Sequence, residues 1–210
     1  MSTNSHEHRR PSYSQIESGA YCRSPCPALS ALANRSFISN DGKNSTIDQI
    51  ADATHEVFGI SRHAVKASLY LAKYRCGLQD TFTLADLSRP SEMEHDVSMF
   101  HDDYFMNKNL YEVSTEAVDG FVKLAHQHSP HVADVNEVEF TKDIMNEHYE
   151  KRLALSKKNE NFLFGWFQYL TYKLEMFFLF NYLVPSRKIK DLKTAVVEEK
   201  LLNIPTNKSK

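Results

Sequence analysis

Apolar positions along this chain recur mostly at helical intervals. Ile47, Ile50, Ala51, Thr54, Val57 and Phe58 lie three and four residues apart, opened by Ser45-Thr46 and stopped by Gly59, which predicts a helix. Residues 61–76 place Ala64, Val65, Leu69, Leu71, Ala72 and Tyr74 on more than one face between Ser61 and Gly77, the pattern of a core helix. Ser114 opens another helix through about His126, and 136–158 reads as one long amphipathic helix whose charged face is solvated. Thr81-Phe82-Thr83-Leu84 alternates as a short strand would. Residues 161–184 are the most aromatic stretch, long enough to span a bilayer, but Lys173 and Glu175 near the middle would be costly there, so a buried core helix, or two with a bend, is expected. Val196, Val197, Leu201 and Leu202 suggest a short docking helix or a homodimer contact.

Composition narrows the class. A chain of 210 residues suits one core, and only 6 glycines and 7 prolines leave few turns for a β-meander, so a mainly α, single-domain protein is expected. Residues 1–20 read as a polar arm, 21–205 as the domain and 206–210 as a polar tail. The net charge of −2 offers no basic surplus for nucleic acid. The first thirteen residues hold no apolar stretch, which points to a cytoplasmic protein, or to a secreted one whose leader has been removed. Three cysteines, Cys22, Cys26 and Cys76, leave at most one disulfide, Cys22 to Cys76, if Cys26 is a ligand. His126, His128 and His131 read as a surface turn.

The candidate chemistry begins at Arg23-Ser24-Pro25-Cys26-Pro27-Ala28-Leu29. Two prolines fix the backbone around Cys26, and Pro27 suits the first helical position, which puts Cys26 at the N-cap. There the sulfur would face the N–H groups of Ala28 and Leu29 and the positive end of the helix, both favouring thiolate. Such a thiolate can be a nucleophile, a redox centre or a metal ligand. With no CxxC partner, a soft ligand to one metal fits best, against the plainer reading of a cysteine that merely caps a core helix.

Ser-Pro-Cys-Pro-Ala-Leu-x-x-Leu-Ala-Asn, with Asp41-Gly42-Lys43-Asn44 after it, resembles the proximal segment of the fungal haem-thiolate peroxidases, the chloroperoxidase and unspecific peroxygenase family. Glu94-His95-Asp96-x-Ser98 is similar to that family's second signature, in the right order. Glu175-Met176-Phe177-Phe178 before Leu183-Val184-Pro185 resembles its distal segment. The chain departs at Arg35, where a histidine is usual, at His101, where an arginine is usual, and after Val184.

The resemblance implies a helical chloroperoxidase-like fold of the short type. It implies haem b with Cys26 as the axial ligand of iron, and Mg²⁺ or another divalent cation at a haem propionate, held by Glu94, the carbonyl of His95 and Ser98. A carboxylate and a hydroxyl one helical turn apart do suit a hard cation. It implies a distal acid–base pair, Glu175 with His95, with Asp96 fixing the tautomer of His95 and Glu160 as the alternative acid; Met93 and Phe178 would border the substrate cavity. An acid in so apolar a setting should also have a raised pKa. The expected activity is hydrogen-peroxide-dependent oxygenation or oxidation of small apolar or aromatic molecules through a ferryl porphyrin radical. A non-catalytic haem protein and a helical interaction protein without cofactor are the alternatives.

Overall fold

The computed structural model describes residues 10–89, 96–107, 109, 111–160, 162 and 164–202. They form an all-helical, single-domain arrangement without a sheet. Within the polar arm, α1 (Tyr13–Glu17) is closed by a capping box in which Ser12 and Gln15 satisfy each other's backbone N–H groups. α2 (Pro27–Asn34) starts at Cys26, with Pro27 at its first position as the sequence predicts. α3 (Ile47–Phe58) has a Thr46–Gln49 capping box and ends on Gly59 in the left-handed conformation. α4 (Arg62–Cys76) ends the same way on Gly77. α5 (Thr115–His128) is capped by Ser114.

Four expectations change. The alternating run at 81–84 gives no strand: Phe82 makes one antiparallel bridge to Ser45, and Leu84–Leu87 winds into a 3₁₀ turn capped by Thr83 and Asp86. The helix expected over 136–158 is broken. Phe140 donates to the Arg187 carbonyl and Ile189 to that of Val138, which holds 138–140 extended, and α6 (Lys142–Ser156) starts afresh with Thr141 as its cap. α4 is not a core helix, because only Leu69, Ala72 and Cys76 are buried along it. The aromatic helix α7 (Trp166–Phe178) is likewise one-sided, burying Tyr172 and Met176. None of the described helices is long and apolar enough to cross a membrane.

α7 runs into a wide π turn, Leu179–Leu183, and α8 (Ile189–Leu192) into another, Lys193–Val197. The core falls into two clusters. One gathers apolar residues of α5 to α8, including Phe121, Met145, Tyr172 and Ile189; the other gathers those of α2, α3 and α4, including Leu32, Ile50 and Ala72. α2 joins them, with Ala28 in the first and Ala31, Leu32 and Ala33 in the second. No disulfide links Cys22 to Cys76.

Candidate active site

The turn that carries Cys26 is fastened on all sides. The Cys26 N–H donates to the Ser24 hydroxyl at 3.2 Å, and the Ser30 hydroxyl donates to the Ser24 carbonyl at 3.1 Å. Upstream, the buried Arg23 guanidinium donates to the Asn34 side chain and to the Cys22 and Asn40 carbonyls, so both ends of α2 hang on one cation. The Cys26 side chain makes no capping hydrogen bond, contrary to the expectation that its sulfur faces the amides of Ala28 and Leu29. A thiol is a weak acceptor, and the side chain lines a cavity instead.

That cavity, of about 310 Å³, lies between the two clusters. Ser68, Leu69 and Ala72 of α4 form one wall; Thr171, Leu174, Glu175 and Phe178 of α7 form another. Leu179 and Leu183 of one π turn and Val196 of the other close it, so both wide turns face the cavity. Ser98 and His101 reach it from the loop before α5.

Glu175 is held from that loop. Its Oε1 accepts from the Ser98 hydroxyl and from the Met99 N–H, each at 3.4 Å. The loop is itself anchored by α6. Arg152 donates to the carbonyls of Ser98 and His101, and His148 Nε2 donates to that of Met99 at 2.9 Å. Because a carbonyl only accepts, His148 carries its proton on Nε2. Burial, which outweighs the bond to Met99, pushes its pKa down to about 4, so it is neutral at pH 7. Below the loop, Asp103 accepts the Val97 N–H at 2.7 Å and holds Val97 at φ 68°, a left-handed conformation that a β-branched residue resists. The second Asp103 oxygen is buried without a hydrogen-bond partner. Strain and an unsatisfied acceptor in one short loop suit a segment whose geometry is imposed by the site.

The sequence profile of "Peroxidase, family 2" matches residues 6–206. The chain belongs to peroxidase family 2. Chloroperoxidase from Leptoxyphium fumago is 26% identical over 141 residues, which take in 59% of this chain and 37% of the relative. The chain thus aligns with little more than a third of that relative's length.

In this family 2 member, four of the residues singled out in the sequence line one cavity: Cys26, Ser98, Glu175 and Phe178. Asp96 is half-buried and Glu160 exposed, and neither lines the cavity. Met93, Glu94 and His95 lie outside the described residues, so of the expected cation ligands only Ser98 is placed. Among the described residues no three His, Cys, Asp or Glu side chains converge on a common point. Sequence reasoning missed His148 and Arg152, which share the buried face of α6 with Met145 and Tyr149; the spacing 145, 148, 149, 152 carried that signal. It also missed Ser24 and Asp103, which act through local loop bonds that leave no periodic trace.

Proposed function

We propose that this protein is a haem-thiolate peroxidase of the short peroxygenase type, using hydrogen peroxide to oxidise or oxygenate small apolar or aromatic molecules. The observation that carries this is the meeting of Cys26 and Glu175 on the walls of one largely apolar cavity. Haem b suits that donor set: a soft sulfur at a helix N-terminus for the iron, aliphatic and aromatic walls for the macrocycle, and one carboxyl for proton transfer. Cys26 would hold the iron, Phe178 and Met93 would border the ring, and Glu94, the His95 carbonyl and Ser98 would hold Mg²⁺ at a propionate. When bound, the haem supplies the electron flow that cleaves the peroxide bond and oxidises the substrate.

The chain moves the proton: the Glu175 carboxylate would take it from one peroxide oxygen and return it to the other. Ser98 and the Met99 N–H orient Oε1 for this, and by the resemblance His95 with Asp96 would complete the pair. Leu69 and Phe178 set apolar surface around the carboxyl.

Haem-loaded protein should give the red-shifted Soret band of a thiolate-ligated ferrous–CO form, and Cys26→Ala should lose it; an unshifted band in the wild type overturns thiolate ligation. Glu175→Gln should keep the band but lose about 10²- to 10⁴-fold of peroxide-dependent turnover on a simple aromatic substrate. An unchanged rate would show that another group moves the proton.

A further inference from the structure

The carbonyls of Ser98, Met99, Phe100 and His101, in the loop before α5, are all spent. Arg152 Nε donates to that of Ser98 at 3.2 Å and Arg152 Nη2 to that of His101; His148 Nε2 donates to that of Met99 at 2.9 Å, and the Ser114 N–H to that of Phe100 at 2.7 Å. The other terminal nitrogen of Arg152, Nη1, stands 3.5 Å from Asp102. Arg152 is only 6% exposed, and a cation is costly to bury. A planar guanidinium spent on two backbone oxygens fixes the orientation of the peptides that carry them, which the single ammonium of a lysine cannot do for both at once.

The peptide that matters joins Ser98 to Met99. It is trans and planar, so its C=O and its N–H point in opposite directions. On one side the oxygen meets Arg152; on the other the Met99 N–H meets Glu175 Oε1 at 3.4 Å. The Ser98 hydroxyl, one bond away from the same unit, reaches that carboxyl oxygen at 3.4 Å as well. Arg152 does not line the cavity, yet it acts on Glu175 through one rigid amide. A cation on the carbonyl oxygen also draws electron density out of the amide, which makes its N–H a stronger donor, as along any chain of hydrogen bonds. Turned over, the same plane would set its carbonyl against the carboxyl of Glu175, acceptor against acceptor.

We propose that Arg152 is a positioning residue for Glu175: it pins the Ser98–Met99 peptide and so aims the donors that hold the carboxyl at the cavity. The catalytic value of this rests on the function proposed above, whereas the placement itself is read in the chain without cofactor. Arg152→Lys keeps a cation but serves one carbonyl, and Arg152→Met keeps the volume without the charge. In the full chain, residue-resolved amide exchange should show the Met99 N–H exchanging at least about tenfold faster in both variants, with the Leu124 N–H of α5 at its wild-type rate. In a Glu175→Ala background, where Met99 has lost its acceptor, neither variant should speed Met99 further. Unchanged exchange at Met99 overturns the proposal, and so does an acceleration that Leu124 shares or that persists with Glu175→Ala. In haem-loaded protein, Arg152→Lys should lower kcat on a simple aromatic substrate about ten- to a hundredfold with KM unchanged, and should cost nothing further in Glu175→Gln. A loss of equal size in that background overturns the positioning role. Glu175→Gln as fast as the wild type strikes the acid assigned under the proposed function, and the exchange of Met99 decides the placement in either case.

Discussion

Gly42 sets the approach of two backbones next to the site. It stands at φ 70°, and a Cβ built there would meet the Cys22 carbonyl oxygen at 1.9 Å, with the Arg23 guanidinium beside it. No rotamer change relieves a backbone contact, so Gly42→Ala must push apart the turn at 39–42 and the segment that leads into Cys26. We expect a loss of about 2–4 kcal/mol in urea unfolding. Here the sequence was partly legible. Asp41-Gly42 reads as a turn, and Pro-Cys-Pro reads as an N-cap, because both depend on backbone chemistry within a few residues. The direction of the Cys26 sulfur was not, because it is settled by a cavity whose walls come from α4 and α7. Ser24 and Asp103 were invisible for the same reason: their worth lies in which N–H they meet.

At the scale of the element, helix existence was legible and helix burial was not. Thr46 with Gln49 and Ser114 mark α3 and α5 in the sequence because capping is local, whereas the exposure of α4 and α7 follows from which neighbours pack on them. α6 shows the same division. Its start was misjudged because 138–140 spends its backbone bonds on 187–189, and its role was misjudged because His148 and Arg152 look like solvent-facing charges. His148 makes that role measurable. Its pKa is depressed from an ordinary 6.5 to about 4, so between these values the unfolded chain binds a proton that the folded one refuses. Its contribution is fully present above pH 6.5 and is lost as pH falls through 4, by about 3 kcal/mol in all. His148→Gln keeps a donor for the Met99 carbonyl and removes the titration. Its unfolding free energy, followed from pH 7 to pH 4, should fall by less than that of the wild type; parallel curves would place the histidine in water.

At the scale of the molecule, the chain is tied from near its first described residue to near its last. Arg10 donates to the Val197 carbonyl and approaches Glu199 at 3.5 Å; Glu199 in turn accepts from Asn34, the last residue of α2, whose oxygen binds Arg23. Burial raises the pKa of Glu199, while Arg10, Asn34 and Arg23 draw it back. A raised carboxyl pKa means that the folded state holds a proton to higher pH, so stability from this group declines as pH rises from the ordinary glutamate range through the folded value, and is flat above it. Removing Arg10 should deepen that decline. Arg10→Ala loses the Val197 bond at every pH, so its deficit against the wild type should be present in acid, where Glu199 is protonated, and grow by about 0.5–1 kcal/mol at pH 7. The same deficit at both pH values would mean that the ion pair contributes nothing. None of this network was legible in the sequence, where residues 10, 23, 34 and 199 share no spacing. The mainly helical, single-domain outline was, because it needs only periodicity and composition.

The position of Val196 on the cavity wall bears on when in its life the protein can be filled. Cys26 leaves the ribosome well before Val196, so the chamber it lines has no wall on one side until the second π turn has been made and packed on α2, and the Asn34 side-chain amide N–H does not meet its acceptor until Glu199 follows. Domains gain structure from the N-terminus onwards during synthesis, but this chamber is completed by residues far downstream of Cys26. A molecule that needs the whole chamber therefore enters only after the segment through Glu199 has been made and packed.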